Sequence, residues 1–356
     1  MHARLCIGLV LAVGLITASP VAQGVASTIL FTSTRDNPSM VPPITGGEIY
    51  RIDHLTDGHF SVPRRLTANL DADIFPTLSP DGLGKIVFDS NRFRAPGEPS
   101  NTSDLFLMNH DGTDVQFLTR GGSPTWSPPG PRGRASKMIA FHASASGTGL
   151  PINPFPGSAT ADSDIFAVNV DDLLEYRALP QNLTSNRIAT VDDDPSWSPD
   201  GRKILFTSYL VDPSTTLTPS EVYMMNADGT GQEQLTNDGF EKRGATWSPD
   251  GTRILFACRM GGKDAAGVVT FELCVMDGPY GAITRLTLNS VSELTPTWSP
   301  DGLAIVFHKV PSNQLWVMRA DGTGETQITG LPGTGDSGRN LLATSWGVIE
   351  VGHGSR

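Results

Sequence analysis

The chain has 356 residues, with 26 Lys+Arg against 37 Asp+Glu and a formal charge of −11. That acidic balance excludes the basic footprint a nucleic-acid partner needs, and regularly spaced hydrophobic residues, 38% of the total, exclude a disordered chain. Charged residues are only 18% while Gly and Pro number 38 and 27, so the composition is that of a turn-rich protein. Length alone suggests about two ordinary domains, a count that the internal repeats replace with one.

Residues 1–26 read as a secretory signal peptide. Arg4 supplies the positive end, Leu5 to Ala18 the apolar run, and Gly24-Val25-Ala26 the small residues before cleavage at Ser27. The run is shorter than the ~20 residues that span a bilayer; an uncleaved anchor is the alternative reading. No later stretch is long and apolar enough to cross a membrane.

From Ser27 onward one unit recurs. The first unit has Ile29–Phe31, EIYRID from Glu48 and Arg65-Leu66-Thr67. The second adds a preceding element, PTLSPDG from Pro76, then Ile86–Phe88, DLFLMN from Asp104 and Phe117-Leu118-Thr119. The third runs PTWSPPG from Pro124, Ile139–Phe141, DIFAVN from Asp164 and Asn182-Leu183-Thr184. The fourth runs PSWSPDG from Pro195, Ile204–Phe206, EVYMMN from Glu221 and Gln234-Leu235-Thr236. The fifth runs ATWSPDG from Ala245, Ile254–Phe256, ELCVMD from Glu272 and Arg285-Leu286-Thr287. The sixth runs PTWSPDG from Pro296, Ile305–Phe307, QLWVMR from Gln314 and Gln327-Ile328-Thr329. A last partial element, ATSWGV, covers Ala343 to Val348.

Each unit thus holds four short apolar stretches, A (Trp-Ser-Pro), B (Ile-x-Phe), C and D (Leu-Thr). Ser-Pro-Asp-Gly and Asp-Gly are tight-turn and hairpin chemistry, and no useful helical period appears beyond one turn at Asp171 to Arg177. The expected fold is all-β, a six-bladed β-propeller of four-stranded antiparallel blades over residues 27–350, with a tail at 351–356. The first unit lacks its A strand, so the C-terminal strand is expected to complete that blade and close the ring. Trp126, Trp197, Trp247, Trp298 and Trp346 share one repeat position, where Leu78 stands in the second unit, and are expected to fill the wedges between blades. Cys258 and Cys274 fall on consecutive strands. An oxidising compartment permits a disulfide between them, and two packed free thiols are the alternative.

The PxWSPDGxxIxF…LT unit, as in PSWSPDGRKILF followed by Gln234-Leu235-Thr236, resembles the propeller repeat of TolB and its relatives over about residues 27–350. The resemblance implies an exported bacterial protein that binds other molecules, without implying an activity. TolB carries an N-terminal α/β domain before its propeller, and this chain is expected to lack it.

Strand direction alternates, so A–B and C–D turns share one face while B–C and D–A loops share the other. The irregular B–C loops are Arg35–Gly46, Asn91–Ser103, Ala143–Ser163, Leu210–Pro219 and Arg259–Thr270; long loops on a rigid scaffold commonly carry binding. Three positions before each motif Pro, or its equivalent, stand Asp73, Gly121, Asp192, Lys242, Glu293 and Leu341. Asp73, Asp192 and Glu293, with Asp193 and Asp194, are expected around a channel mouth, partly neutralised by Lys242. Converging carboxylates favour a cation or a Lys/Arg side chain of a partner; a solvated charged rim is the alternative.

His142 and His308 each follow the Phe of strand B, where other units carry Thr32, Asp89, Thr207 and Ala257. Two ordinary strand histidines are the plain reading. A Gly-Asp-Ser-Gly at Gly335–Gly338 lacks the context of a protease nucleophile. The expected function is therefore an exported, non-catalytic binding or scaffold propeller, periplasmic or secreted and monomeric. It would dock a cell-envelope or extracellular protein, or a small cationic ligand. No cofactor is expected beyond a cation at the mouth. The alternative is a polysaccharide lyase or hydrolase using His142, His308 and the mouth acids.

Overall fold

The computed structural model describes residues 25–34, 47–69, 71–93, 103–130, 137–144, 163–185, 190–210, 219–260, 263, 267–310, 312–330 and 340–349. The signal segment up to residue 24, most of the five long loops, Gly335–Gly338 and the tail at 351–356 lie outside the described residues.

Strands β1 (Val25–Ser33), β2 (Glu48–Leu55) and β3 (Arg64–Arg65) belong to the first sheet, whose fourth strand comes last in the chain. The expected cleavage point before Ser27 thus falls inside β1. Strands β4 (Asp73–Leu78), β5 (Lys85–Ser90), β6 (Asp104–Asn109) and β7 (Gln116–Arg120) form the second sheet. Next come β8 (Gly122–Trp126), β9 (Met138–Ser144), β10 (Ser163–Asn169), a short helix α1 (Val170–Leu174) and β11 (Gln181–Asn182). They are followed by β12 (Thr190–Trp197), β13 (Lys203–Leu210), β14 (Glu221–Asn226) and β15 (Glu233–Gln234). Two more sheets are β16 (Lys242–Trp247), β17 (Arg253–Cys258), β18 (Glu272–Asp277), β19 (Ile283–Arg285), and β20 (Ser292–Trp298), β21 (Ala304–Val310), β22 (Gln314–Arg319), β23 (Thr326–Gln327). Strand β24 (Asn340–Gly347) pairs antiparallel with β1, with Ile29 opposite Trp346 and Phe31 opposite Thr344.

The result is an all-β propeller of small antiparallel sheets, with one correction to the expected count. Among the described residues four separate four-stranded sheets are present rather than six, and the strands from β8 to β15 form one eight-stranded sheet. The cause is local. Strand β12 begins early enough that Val191 lies parallel to Ser163 of β10, and this single pair joins two sets of four strands. The first strands of successive units touch in order, β4 to β8, β12, β16, β20 and β24, and β24 also touches β4.

The Ile-x-Phe stretches are buried on both faces because each B strand lies between two neighbouring sheets. Ile86 and Phe88 join a cluster with Leu30 and Ile49 of the first sheet. Val87 between them faces the other way, into a cluster with Trp126, Ile139 and Phe141. The tryptophans occupy these inter-sheet clusters. Trp247 packs with Leu205, Val222 and Met224 of the preceding unit, and Trp298 with Leu255, Leu273 and Val275. Trp126 donates from Nε1 to the Thr77 carbonyl at 3.3 Å. Trp197 and Trp346 are half-buried, and Trp346 donates from Nε1 to the Ser27 hydroxyl at 2.8 Å.

The Leu-Thr repeat has a hydrogen-bonding cause. The Thr hydroxyl accepts from the backbone N–H of the second C-strand residue: Ile49 to Thr67 at 3.0 Å, Ile165 to Thr184 at 3.0 Å, Val222 to Thr236 at 3.0 Å, Leu273 to Thr287 at 2.9 Å, and Leu315 to Thr329 at 2.9 Å. It also donates to the side chain that opens the C strand, as Thr67 does to Glu48 at 2.6 Å and Thr329 to Gln314 at 2.8 Å. One side chain thereby anchors the short D strand, which has few ladder bonds of its own. The Asp-Gly turns are fixed by packing as well as by φ. A Cβ on Gly112, Gly229 or Gly322 would stand 2.4, 2.7 or 2.9 Å from the carbonyl oxygen of Leu66, Leu183 or Leu286 in the preceding unit.

Cys258 and Cys274 form a disulfide across β17 and β18, with Cα atoms 6.0 Å apart, which resolves the two readings left open by the sequence. A further repeated feature sits in the A strands. The residue before the motif Pro, or its equivalent, has positive φ in five units: Phe75 50°, Ser123 46°, Asp194 50°, Gly244 60° and Thr295 49°. At each of these places the A–B ladder shifts register, as a β-bulge does.

Candidate functional site

Strand alternation separates the residues expected at the channel mouth into two groups. Asp73, Asp192, Lys242 and Glu293, three positions before the motif Pro or its equivalent, are fully buried and engaged by neighbouring groups. Asp73 accepts both contacts of Arg92 Nη2, at 2.8 and 2.9 Å, and the Asn69 amide at 2.6 Å. Asp192 accepts from the Ser208 hydroxyl at 2.5 Å. Lys242 donates to Glu221 at 2.9 Å, to the Phe240 carbonyl at 2.7 Å, and to Asp238. Glu293 accepts from Asn289 at 2.8 Å and lies 3.2 Å from Lys309 Nζ. Burial raises the Glu293 pKa against the pull of these partners. Each of the four is thus engaged by neighbouring groups, and Lys242 on β16 reaches back to Glu221 on β14 of the preceding unit.

Asp193, one position later, turns the other way and is brought together with His142. His142 Nδ1 on β9 lies 2.5 Å from Asp193 Oδ1 on β12, with side-chain exposures of 27% and 38%. Three more residues complete the group. Asp89 on β5 is 2% exposed and accepts from the Ser123 backbone N–H at 3.2 Å through Oδ2. Asp194 accepts from the Gly244 N–H at 3.1 Å. Gly122 makes room for the ring, since a Cβ there would stand 2.7 Å from His142 Nε2 and 3.0 Å from Asp89 Oδ2. His308 lies in β21, opposite Leu294 and Leu315, and is buried.

The electrostatics follow from acids and one imidazole drawn together in a largely desolvated place. Burial opposes a charge on His142, but the Asp193 carboxylate beside it, with Asp89 and Asp194, lifts its pKa to about 9. The ring is therefore an imidazolium at neutral pH. Burial likewise works against the Asp193 charge, yet His142 holds that carboxyl below its ordinary value. Asp194 is raised to about 6 by burial and by the neighbouring Asp193 charge. Burial pushes Asp89 well above the usual carboxyl range, with His142 and the Ser123 N–H pulling back. Such opposed shifts within one cluster are a mark of functional sites. Among the described residues no group of three or more His, Cys, Asp or Glu is set to hold a metal ion.

Asp89 and Asp194 were not singled out as partners of His142 by the sequence. The available signal was the slot after Ile-x-Phe, which carries Thr32, Asp89, His142, Thr207 and His308 in units where a strand core would take an apolar residue.

Small sheets with touching first strands, inter-sheet cores and polar side chains gathered on those first strands define a β-propeller protein. The model of the TolB beta propeller domain matches residues 157–334, and the chain belongs to that family. The fold is similar to TolB from Acinetobacter baumannii, at 20% identity over 90% of this chain and 67% of that one, with a TM-score of 0.60. It is similar to a putative TolB from Agrobacterium tumefaciens, at 16% identity over 86% and 89%, with a TM-score of 0.55. It is also similar to hydrazine synthase of Kuenenia stuttgartiensis, at 16% identity over 94% and 50%, with a TM-score of 0.61. At these identities the likeness is one of fold. Comparison with curated proteins finds no match. No helix among the described residues is long and apolar enough to cross a membrane.

Proposed function

We propose that this chain is an exported binding propeller, periplasmic or secreted, that docks a protein partner or a small cationic ligand. In this reading the eight-stranded sheet counts as two blades linked by the Ser163–Val191 pair, giving six blades. Strand β24 then completes the first blade and closes the ring. Support comes from the unbroken succession of first-strand contacts and from the cluster that joins Ile29, Phe31 and Tyr50 to Val306, Leu315 and Ile328.

The observation that carries the binding reading is the acid-rich cluster on the first two strands of neighbouring units, where Asp193 and His142 are reached by solvent. Asp73, Asp192, Lys242 and Glu293 serve it from behind, by fixing the strands that present it. A polar group that is both accessible and electrostatically loaded, on a rigid scaffold, suits recognition of a cation.

The test is capture from cell-envelope extract on immobilised protein, comparing the natural chain with an Asp193→Asn/His142→Gln variant. A partner held by the first and lost by the second is expected. Identical capture by both would remove the cluster from the proposal.

A further inference from the structure

We propose that Asp89, Asp193 and Asp194 together receive an alkylammonium group, either a free amine or a Lys side chain of a partner. This deepens the binding reading above and rests on it.

The first observation is an acceptor with nothing to accept. Asp89 is 2% exposed, and among the described residues its Oδ1 atom has no hydrogen-bond partner. Its other oxygen takes one backbone N–H, that of Ser123 at 3.2 Å. A buried carboxylate oxygen left in this state is costly, and an incoming N–H donor would relieve it. The carboxylate belongs electrostatically to the group of His142, Asp193 and Asp194, so the missing donor is missing from this cluster and not from the core at large.

The second observation is how the acids are engaged. One oxygen of each already has a partner: Asp89 Oδ2 the Ser123 N–H, Asp193 Oδ1 the His142 ring and the Asp194 N–H at 2.8 Å, Asp194 Oδ2 the Gly244 N–H. An ammonium has three donors around a point charge and suits single oxygens from separate strands. The charges point the same way. Arg243 is the nearest other cation acting on Asp193, and it is held by Glu241 at 2.8 and 2.5 Å. That leaves three acids facing one imidazolium. A divalent metal is disfavoured by that imidazolium, and no metal-holding group is present among the described residues.

Burial raises the Asp89 carboxyl above its ordinary range, with His142 and the Ser123 N–H pulling it back. Groups facing the site from the elements packed around it are Asp89 of β5, His142 of β9, Asp193 and Asp194 of β12, Tyr209 of β13, and Arg243 of β16 with Glu241 beside it.

The experiment is titration calorimetry of the full chain at pH 7 with propylammonium chloride and with N-acetyl-lysine amide. Propylguanidinium and magnesium chloride are the comparisons. Saturable binding of an ammonium probe is expected, tighter than either comparison. Asp89→Asn should weaken it about tenfold or more, the size of a charge-assisted hydrogen bond, and Asp193→Asn should do the same if Asp89→Asn does not fold. Tighter propylammonium would point to a free amine, and tighter lysine amide to a partner's side chain. No saturable binding of either probe, equal binding of propylguanidinium, or unchanged affinity in a folded Asp89→Asn protein would overturn the proposal. Capture of an envelope partner would still stand in that event, so the two readings fail separately.

Discussion

His142 on β9 and Asp193 on β12 form an ion pair with 2.5 Å between Nδ1 and Oδ1, across the boundary between two units of the repeat. The pair sets the charge of the site, and its pH dependence has a definite sign. The folded pKa of His142, about 9, stands above the ordinary 6.5. Its contribution to stability is therefore complete below about pH 6.5 and is lost as pH rises through about 9. The thermal-midpoint difference between the natural chain and His142→Gln should shrink across that window. Asp194 runs the same way in a lower window: with its pKa raised from 3.8 to about 6, stability is lost as pH rises from about 4 through about 6. Asp194→Asn should match the natural chain near pH 4 and exceed it above pH 6, as read by thermal melts.

The inter-sheet tryptophans differ in burial, and their truncations should differ in cost. Trp298 is 4% exposed among Leu255, Leu273 and Val275. Trp298→Ala should cost on the order of 3–5 kcal/mol in denaturant unfolding. Trp197→Ala, at a half-buried position, should cost clearly less.

The Thr hydroxyl of each unit holds the D strand to the C strand. In Thr236→Val the Val222 N–H loses its acceptor and Glu221 loses a donor. A loss of about 1–3 kcal/mol is expected, with faster hydrogen exchange at Val222 as the specific sign.

The Cys258–Cys274 bridge closes a segment with a sequence separation of 16. For loops near that length the constraint is worth about 3 kcal/mol. Reduction under conditions that reach the buried sulfurs, or Cys258→Ala/Cys274→Ala, should lower the thermal midpoint accordingly.

Strand β24 is the pairing partner of β1, with Thr28 opposite Gly347 and Leu30 opposite Ser345. Removing residues 340–349 exposes that edge. Loss of a single cooperative unfolding transition is expected in calorimetry; an unchanged midpoint would contradict a closing role for the strand.

Most of the strand order was legible because it is written by repetition. Ile-x-Phe, Leu-Thr and Ser-Pro-Asp-Gly each mark a strand or turn, and each has a local cause: burial on two faces, a hydroxyl staple, a tight turn. The merging of two blades into one sheet was not legible, since it rests on the one pair Ser163–Val191. The site was legible only in part. Asp193 and Asp73 look alike in a linear reading, but one position along a strand separates a fully buried side chain from one reached by solvent. Asp89, His142 and Asp193 occupy slots where the units differ, and residues contributed singly by different units leave no periodic trace.

The positive-φ residue in each A strand has a consequence for how this protein can change. Its backbone stands outside the ladder, so the strand does not register which side chain is there. Phe75, Ser123, Asp194, Gly244 and Thr295 already occupy the same conformation. The fold thus repeats one backbone socket from unit to unit, and different side chains already fill it. Moving an acid from Asp194 to the socket of Thr295 would shift the recognised charge round the molecule.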